Sequence, residues 1–267
     1  MVDNYSKQLM IKGVIRLLLQ IFPRPFLIRL SLLINRIIAV FLIGNKVECP
    51  VCCGKFRKFL PYGYTKETGR DNCLCPKCLS LERHRLMWLY LKNETDFFNR
   101  NLKVLHIAPE QCFYKRFKAQ SNLDYTTGDL ESPIADVHFD VQEIPFDENT
   151  FDVVICNHVL EHVESDSKAM SEFYRILKPN GFAILQVPMD TENPKTEEDP
   201  SVTNPKERER LYRQKDHVRL YGLDYISRLQ KAGFKVKESK YSKKFTSDVA
   251  ERYRLPVNEI FYFNQKL

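Results

Sequence analysis

The chain has 267 residues, 43% of them hydrophobic and 28% charged, with a formal net charge of +7. That is enough to bury one sizeable α/β core plus a small appendage, and the absence of an internal repeat or a long low-complexity tract excludes solenoid and disordered classes. The charge is uneven: residues 1–46 carry seven Lys/Arg against Asp3 alone (+6), residues 47–95 carry nine basic and five acidic side chains (+4), and residues 96–267 are net −3. A positive surface therefore belongs to the front of the chain and not to its main domain.

Residues 5–43 are the most apolar part. Gln8, Lys12, Arg16 and Gln20 form one narrow polar stripe on a predicted helix made mostly of Leu, Ile, Val and Met. Pro23-Arg24-Pro25 breaks it, and a second apolar segment, residues 26–43, is interrupted only by Arg29, Ser31, Asn35 and Arg36. No small-residue cleavage site follows, so this is not a secretory signal. A central Arg36 costs about 2.5–3.5 kcal/mol in a bilayer, against about 0.3–0.6 returned by each Leu, Ile, Phe or Val. The reading is a basic amphipathic hairpin over residues 1–46, lying on an anionic membrane face. Two helices packed on the protein's own core is the competing reading, and whether residues 25–43 span or lie on the membrane is left open.

Six of the eight cysteines fall within thirty residues, in the pairs Cys49-Pro50-Val51-Cys52 and Cys75-Pro76-Lys77-Cys78. Two such knuckles present four thiolates to one tetrahedral ion. Cys49, Cys52, Cys75 and Cys78 are therefore the expected ligands of a structural zinc in a ribbon that, with its connecting helix, occupies residues 47–95. Cys53 and Cys73 sit beside the knuckles as spectators, although either can replace a neighbour. A redox role for one CxxC is set aside because the pairs are matched. Metal-type rather than disulfide-type spacing implies a reducing cytoplasm, with the chain peripheral on the inner face of the membrane. Residues 80–91 predict a helix capped by Ser80, its Arg83, His84 and Arg85 forming a solvated or salt-bridged face that docks the ribbon, with a substrate or phosphate site as the competing reading.

The main domain, residues 96–267, opens with the strand Lys103-Val104-Leu105-His106-Ile107 and the loop Ala108-Pro109-Glu110. Tyr125 to Leu130 reads as a second strand ending at Asp129, with Asp124 before it. Phe151-Asp152-Val153-Val154-Ile155-Cys156 is an apolar, β-branched run of the kind buried in a parallel sheet. Ala169, Phe173, Ile176 and Leu177 mark a helix, Lys178-Pro179-Asn180-Gly181 stops it, and Phe182 to Val187 is another buried strand. This makes one right-handed βαβ unit. Ligands of such sheets sit at the carboxyl ends of the strands, here at Asn157-His158 and Pro188-Met189-Asp190.

His158-Val159-Leu160-Glu161-His162 fits the H-x-x-E-H pattern of inverted zinc proteases. The stretch begins directly after a buried strand, so His158 and Glu161 are read as lining a pocket and His162 as packing or capping. Residues 191–213 are polar and proline-punctuated, a lid or substrate insertion within 190–222. Asp216-His217-Val218-Arg219-Leu220-Tyr221 clusters an acid, an imidazole, a guanidinium and a phenol; a helix cap at Asp216 with His217 and Arg219 as pairing partners is weighed equally. A helix over 224–232 ends at Gly233, a strand follows from Phe234, and the tail to Phe263 is expected to complete an antiparallel edge.

The stretch from Ala135 to Pro188 resembles the class I S-adenosylmethionine-dependent methyltransferases: an acidic residue, a short gap, Ile144-Pro145-Phe146, the Phe151-Asp152 strand, His158-Val159-Leu160-Glu161-His162 and the Leu177-Lys178-Pro179-Asn180-Gly181 turn. "LHIAPE", "CPKCLSLERHRL" and "DHVRLYG" further resemble a bacterial group that carries an N-terminal zinc ribbon, and the likeness covers roughly residues 47–240. It implies a Rossmann-like, mostly parallel sheet preceded by the ribbon and the apolar segment. S-adenosylmethionine is the implied cofactor. Where this class shows a glycine loop the chain has His106 and Ala108-Pro109-Glu110, so Ala108, Pro109 and Glu110 are the implied contacts to the methionine part. Asp129, with Asp124 as the alternative, would meet the ribose, Asp140 and Val141 the adenine, and Asn157 and His158 would line the pocket; a turn or helix cap is the competing role of a lone loop Asp. His217, Arg219 and Glu161 are the candidate catalytic residues.

Three functions follow. The first is methyl transfer to an unidentified acceptor, a glycan or lipid-linked one given the membrane-facing front. The second is rRNA or tRNA base methylation, supported by the basic ribbon but opposed by the acidic main domain. The third is a zinc-ribbon membrane adaptor with a decayed cofactor site.

Overall fold

The computed structural model describes residues 34–35, 37–63 and 69–267. The chain forms two compact units, one of residues up to Leu81 together with Glu251–Arg254, the other of Glu82–Ala250 with Leu255–Leu267. Most of the expected hairpin lies outside the described residues, and its last residues, 43–46, are strand rather than helix. Among those described, no helix is long and apolar enough to cross a membrane.

The first unit holds two hairpins. Strands β1 (Ile43–Cys49) and β2 (Gly54–Phe56) pair antiparallel, as do β3 (Leu60–Tyr62) and β4 (Arg70–Leu74). Their apolar filling is slight: Val47, Val51, Phe56 and Phe59 are buried beside the cysteines. So small a core needs a further staple.

The second unit begins with α1 (Glu82–Glu94) and contains a seven-stranded sheet. In chain order its members are β5 (Leu102–Ile107), α2 (Gln111–Lys118), β6 (Leu123–Asp129), β7 (Val137–His138), β8 (Phe151–Asn157), α3 (Asp166–Ile176) and β9 (Leu177–Gln186). After a small hairpin of β10 (Glu197–Glu198) and β11 (Arg219–Leu220), with α4 (Pro205–Tyr212) between them, come α5 (Tyr225–Lys231), β12 (Lys235–Ser239), α6 (Ser247–Tyr253), whose residues from Glu251 on belong to the first unit, and β13 (Phe261–Gln265). The spatial order is β12-β13-β9-β8-β5-β6-β7. The five strands from β9 to β7 are parallel; β13 runs antiparallel to both its neighbours. The α/β class and the mostly parallel sheet thus agree with the sequence.

Val153, Val154 and Ile155 of β8 are fully buried, covered on one side by Ala169, Met170, Phe173 and Ile176 of α3. Ser165 caps α3 by accepting from the Lys168 amide.

Four expectations need correction. The antiparallel edge expected of the tail forms, but its outermost strand is β12: β13 lies between β9 and β12, which is why Phe261 and Tyr262 are buried. Asp124 lies inside β6 rather than before it. Residues 178–181 do not separate helix from strand, because β9 already starts at Leu177 and absorbs them in a register shift, with Asn180 at φ +63°. The basic residues of α1 are not a solvated face, since His84 is 7% and Arg85 0% exposed.

Candidate functional site

From β5 the chain moves outward to β6 and β7, then returns to the other side of β5 as β8. The strand order therefore reverses between β5 and β8, and open α/β sheets bind ligands at the carboxyl ends beside such a reversal. Ile107 pairs with Gly128 on one side and with Cys156 on the other, so the loops after β5, β6 and β8 emerge together.

In the first loop Ala108 takes φ +47°, a left-handed conformation normally left to glycine, and its amide donates to the Gly128 carbonyl at 2.8 Å. Pro109 is buried. Glu110 occupies the N-cap of α2, but its side chain does not cap the helix. It turns back over the sheet instead. Glu110 Oε2 lies 2.5 Å from His106 Nε2, Oε1 accepts from Asn157 Nδ2 at 3.0 Å, and His84 Nε2 is 3.9 Å from Oε1. The fully buried His106 is fixed from its other nitrogen by the Tyr125 hydroxyl at 2.8 Å. The acid missing at position 106 is thus returned from position 110.

Burial pushes the Glu110 carboxyl up, but the charge and hydrogen bond of His106, then His84 and Asn157, outweigh it and hold the group at about 2. His84 goes the other way from an ordinary imidazole: burial lowers it to about 3 against the pull of Glu110. Asn157 Oδ1 is buried without a hydrogen-bond partner. The crevice therefore presents a firm carboxylate and an unsatisfied carbonyl oxygen, a pair suited to a cationic N–H group.

Asp129 ends β6, and its Oδ1 accepts the amides of Glu131 and Ser132, both at 2.8 Å. Asp140 Oδ1 accepts the Gln142 amide at 2.8 Å, while Val141 is buried. Both acids therefore shape their own loops. The Asp140 loop is rigid, because Gln142 Oε1 accepts the Ser165 amide, Glu172 accepts the Ile144 amide, and Arg175 donates to the carbonyls of Ile144 and Phe146. His158 stands at φ +55°, its amide donating to Gln186 O and its Nδ1 3.3 Å from Glu161 Oε1.

A second grouping forms just beyond β8. One donor atom each from Glu161, His162 and His217 lies within 4.8 Å of the others. Glu161 and His217 are 1% and 2% exposed. His217 Nδ1 donates to Tyr212 O at 2.9 Å, and burial depresses its pKa against the neighbouring Glu161. Asp216 caps no helix; its backbone carbonyl faces His162 Nδ1 at 3.2 Å. Arg219 turns inward, donating to Leu160 O, Val163 O and Glu164 O and to Glu198 Oε2. Sequence reasoning missed His84 beside Glu110, and the union of the 158–164 loop with residues 212–219. The signal for the first was the Arg83-His84-Arg85 cluster, for which a substrate or phosphate site was the competing reading.

In the first unit the four expected cysteines converge, all buried, with Cys49 Sγ to Cys78 Sγ and Cys52 Sγ to Cys75 Sγ both 3.6 Å. Zinc bonds of about 2.3 Å place tetrahedral sulfurs about 3.8 Å apart, so the set fits zinc. The Ser80 hydroxyl lies 3.1 Å from Cys49 Sγ and 3.3 Å from Cys78 Sγ, an outer contact where a helix cap was expected. Cys53 is exposed, and Cys73 donates to Arg70 O; neither belongs to the set.

Residues 94–185 match the family model described as a methyltransferase domain. The ubiquinone/menaquinone biosynthesis C-methyltransferase of Idiomarina loihiensis is 41% identical over 49 residues, 18% of this chain and 20% of that protein. The demethylmenaquinone methyltransferase of Staphylococcus epidermidis is 40% identical over 58 residues, 22% and 24% of the two chains. The chain thus spans about a fifth to a quarter of these relatives' length. Among solved structures, an S-adenosylmethionine dependent methyltransferase from Mesorhizobium loti aligns with TM-score 0.44 and 14% identity, covering 68% of this chain and 98% of that one.

Proposed function

We propose that the protein transfers a methyl group from S-adenosylmethionine to an acceptor held near residues 158–222. The observation that carries this reading is the Glu110 carboxylate and the partnerless Asn157 Oδ1, both at the β5/β8 reversal. The methionine part of the cofactor ends in an ammonium group, and two fixed acceptors are what such a group needs. Asp129 would hold the ribose with the carboxylate oxygen outside its turn, and Asp140 and Val141 would bracket the adenine. When bound, the cofactor supplies an electrophilic methyl on a sulfonium, so the chain's own task is to orient an acceptor in line with it. In the metal-free site His217, whose pKa burial lowers, can take a proton from an acceptor hydroxyl at Nε2; Glu161 stands beside it. Residues 191–222 form the acceptor side. A glycan or lipid-linked acceptor is the class we favour, supported by the apolar, basic residues 1–46, and the ribbon's metal is zinc in a structural role.

The test is thermal unfolding of zinc-loaded protein with and without S-adenosylhomocysteine. Ligand at about 100 times its dissociation constant stabilises by about 2.7 kcal/mol. The expected result is a clear upward shift in Tm, lost in Asp129→Ala and in Glu110→Gln. No shift at millimolar ligand removes the methyltransferase reading and puts the adaptor reading in front.

A further inference from the structure

We propose that Glu161, His162 and His217 bind a divalent transition-metal ion, zinc by donor type, as a second metal site in addition to the four cysteines. Two imidazoles and one carboxylate are the donor set of open, three-ligand metal sites, and one donor from each of these residues already lies within 4.8 Å of the rest. Zinc bonds of about 2.0–2.2 Å place such donors about 3.3–3.6 Å apart, so a modest closure completes the set. His162 is the member with freedom to close, its side chain being 35% exposed.

Hydrogen bonding has already chosen the tautomers. His217 Nδ1 faces the Tyr212 carbonyl at 2.9 Å, and His162 Nδ1 faces the Asp216 carbonyl at 3.2 Å. A carbonyl only accepts, so each Nδ1 carries the proton and each Nε2 keeps its lone pair. A backbone carbonyl behind the far nitrogen is the usual outer support of a metal-bound histidine.

The third member gives an independent sign. Glu161 is 1% exposed, and its Oε2 is buried with no hydrogen-bond partner. A buried carboxylate oxygen left without a partner is costly, and a cation removes that cost. The backbone is held for the purpose, with the Val218 amide donating to Glu161 O at 2.9 Å and Arg219 donating to three carbonyls of residues 160–164. The H-x-x-E-H spacing is used only in part: His158 pairs with Glu161 Oε1, and the second imidazole comes from His217. Three protein ligands leave a coordination position for water or an acceptor oxygen.

The test is metal content of the full chain after incubation with excess Zn²⁺ and desalting, with Co²⁺ as a spectroscopic probe. The expected result is about two zinc equivalents per chain, falling to about one in His162→Gln and in Glu161→Gln. The second cobalt should add only weak visible bands, without the intense sulfur charge transfer of the cysteine site. His162 is exposed enough for its variant to keep the fold, checked by Trp88 fluorescence. One equivalent in the wild type, or a second equivalent that survives in the His162 variant, overturns the proposal. Neither cofactor nor acceptor is present in this assay, so its failure leaves the cofactor reading where it stands.

Discussion

Replacing His84 by Gln should flatten the acid side of the stability profile. An ordinary imidazole titrates near 6.5, but burial in the folded chain holds His84 at about 3, the Glu110 charge opposing only in part. The unfolded chain therefore binds a proton below pH 6.5 that the folded chain refuses. For a depressed histidine, the associated stability is fully present above 6.5 and is lost as the pH falls toward 3. Between pH 7 and pH 5 the loss is about 2 kcal/mol. That window separates it from Glu110, whose carboxyl is held at about 2 against an ordinary 4.5 and so costs stability mainly between pH 4.5 and 2. The assay is urea unfolding at both pH values, followed by the chain's single tryptophan. Trp88 lies on α1 with His84 and stacks on Phe113 and Phe117, so it reports on this unit. The variant will be less stable at pH 7, since the ring packs edge-on against Phe113; the decisive quantity is the slope. Equal losses in wild type and His84→Gln would refute a neutral, proton-refusing His84.

Two further outcomes follow from the geometry. Stripping zinc with a strong chelator should abolish hydrogen-exchange protection in β1–β4 while β5, β8 and β9 keep theirs, because the first unit has little apolar core and structural zinc contributes about 10–16 kcal/mol to such folds; protected β1–β4 amides in metal-free protein would contradict this. Gly222→Ala places a Cβ 2.5 Å from the backbone carbon and oxygen of Lys195 and 2.7 Å from Asn193 O, so it should cost about 1–3 kcal/mol and speed proteolysis within residues 191–224; unchanged cleavage would show that this segment yields freely.

What the sequence made legible was local. The β-branched run of β8 and the three- and four-residue spacing on α3 each report their own burial, and the two CxxC knuckles carry their own geometry. Burial set by distant partners was not legible. His84 and Arg85 look like a charged face in one dimension, and only the fold brings Glu110 back over the sheet to meet His84. The antiparallel edge expected of the tail forms, but the aromatic residues of β13 could not tell an outermost from an inner strand; its pairing with both β9 and β12 is fixed by contacts across the sheet. Asp129 and Asp140 stood where cofactor contacts were expected, and turn formation stood as their bland alternative. At Asp129 one carboxylate oxygen serves the turn, so there the two readings do not compete; at Asp140 Gln142 takes both oxygens, Oδ1 through its backbone amide and Oδ2 through its side-chain amide at 3.1 Å. The meeting of Glu161 and His162 with His217 had no sequence signal at all, because it depends on how residues 212–219 return to the β8 loop.

Arg219 illustrates how the same constraint limits chemical roles. Its side chain is 4% exposed, with Nη1 at 2.7 Å from Leu160 O and 2.6 Å from Val163 O, Nη2 at 2.8 Å from Glu164 O and Nε at 2.9 Å from Glu198 Oε2. Glu198 also accepts from Arg228, which in turn reaches Asp166 and Asp224, so two guanidinium groups and three carboxylates form one network. For Arg219 to reach a substrate it would have to abandon three carbonyls, each unmade bond costing about 1–3 kcal/mol, and leave Glu198 with only one partner. No single new contact offsets that. Its contribution to any reaction at this site runs through the placement of Glu161 and His162, which sit on the loop those carbonyls belong to, and not through contact with a reacting atom.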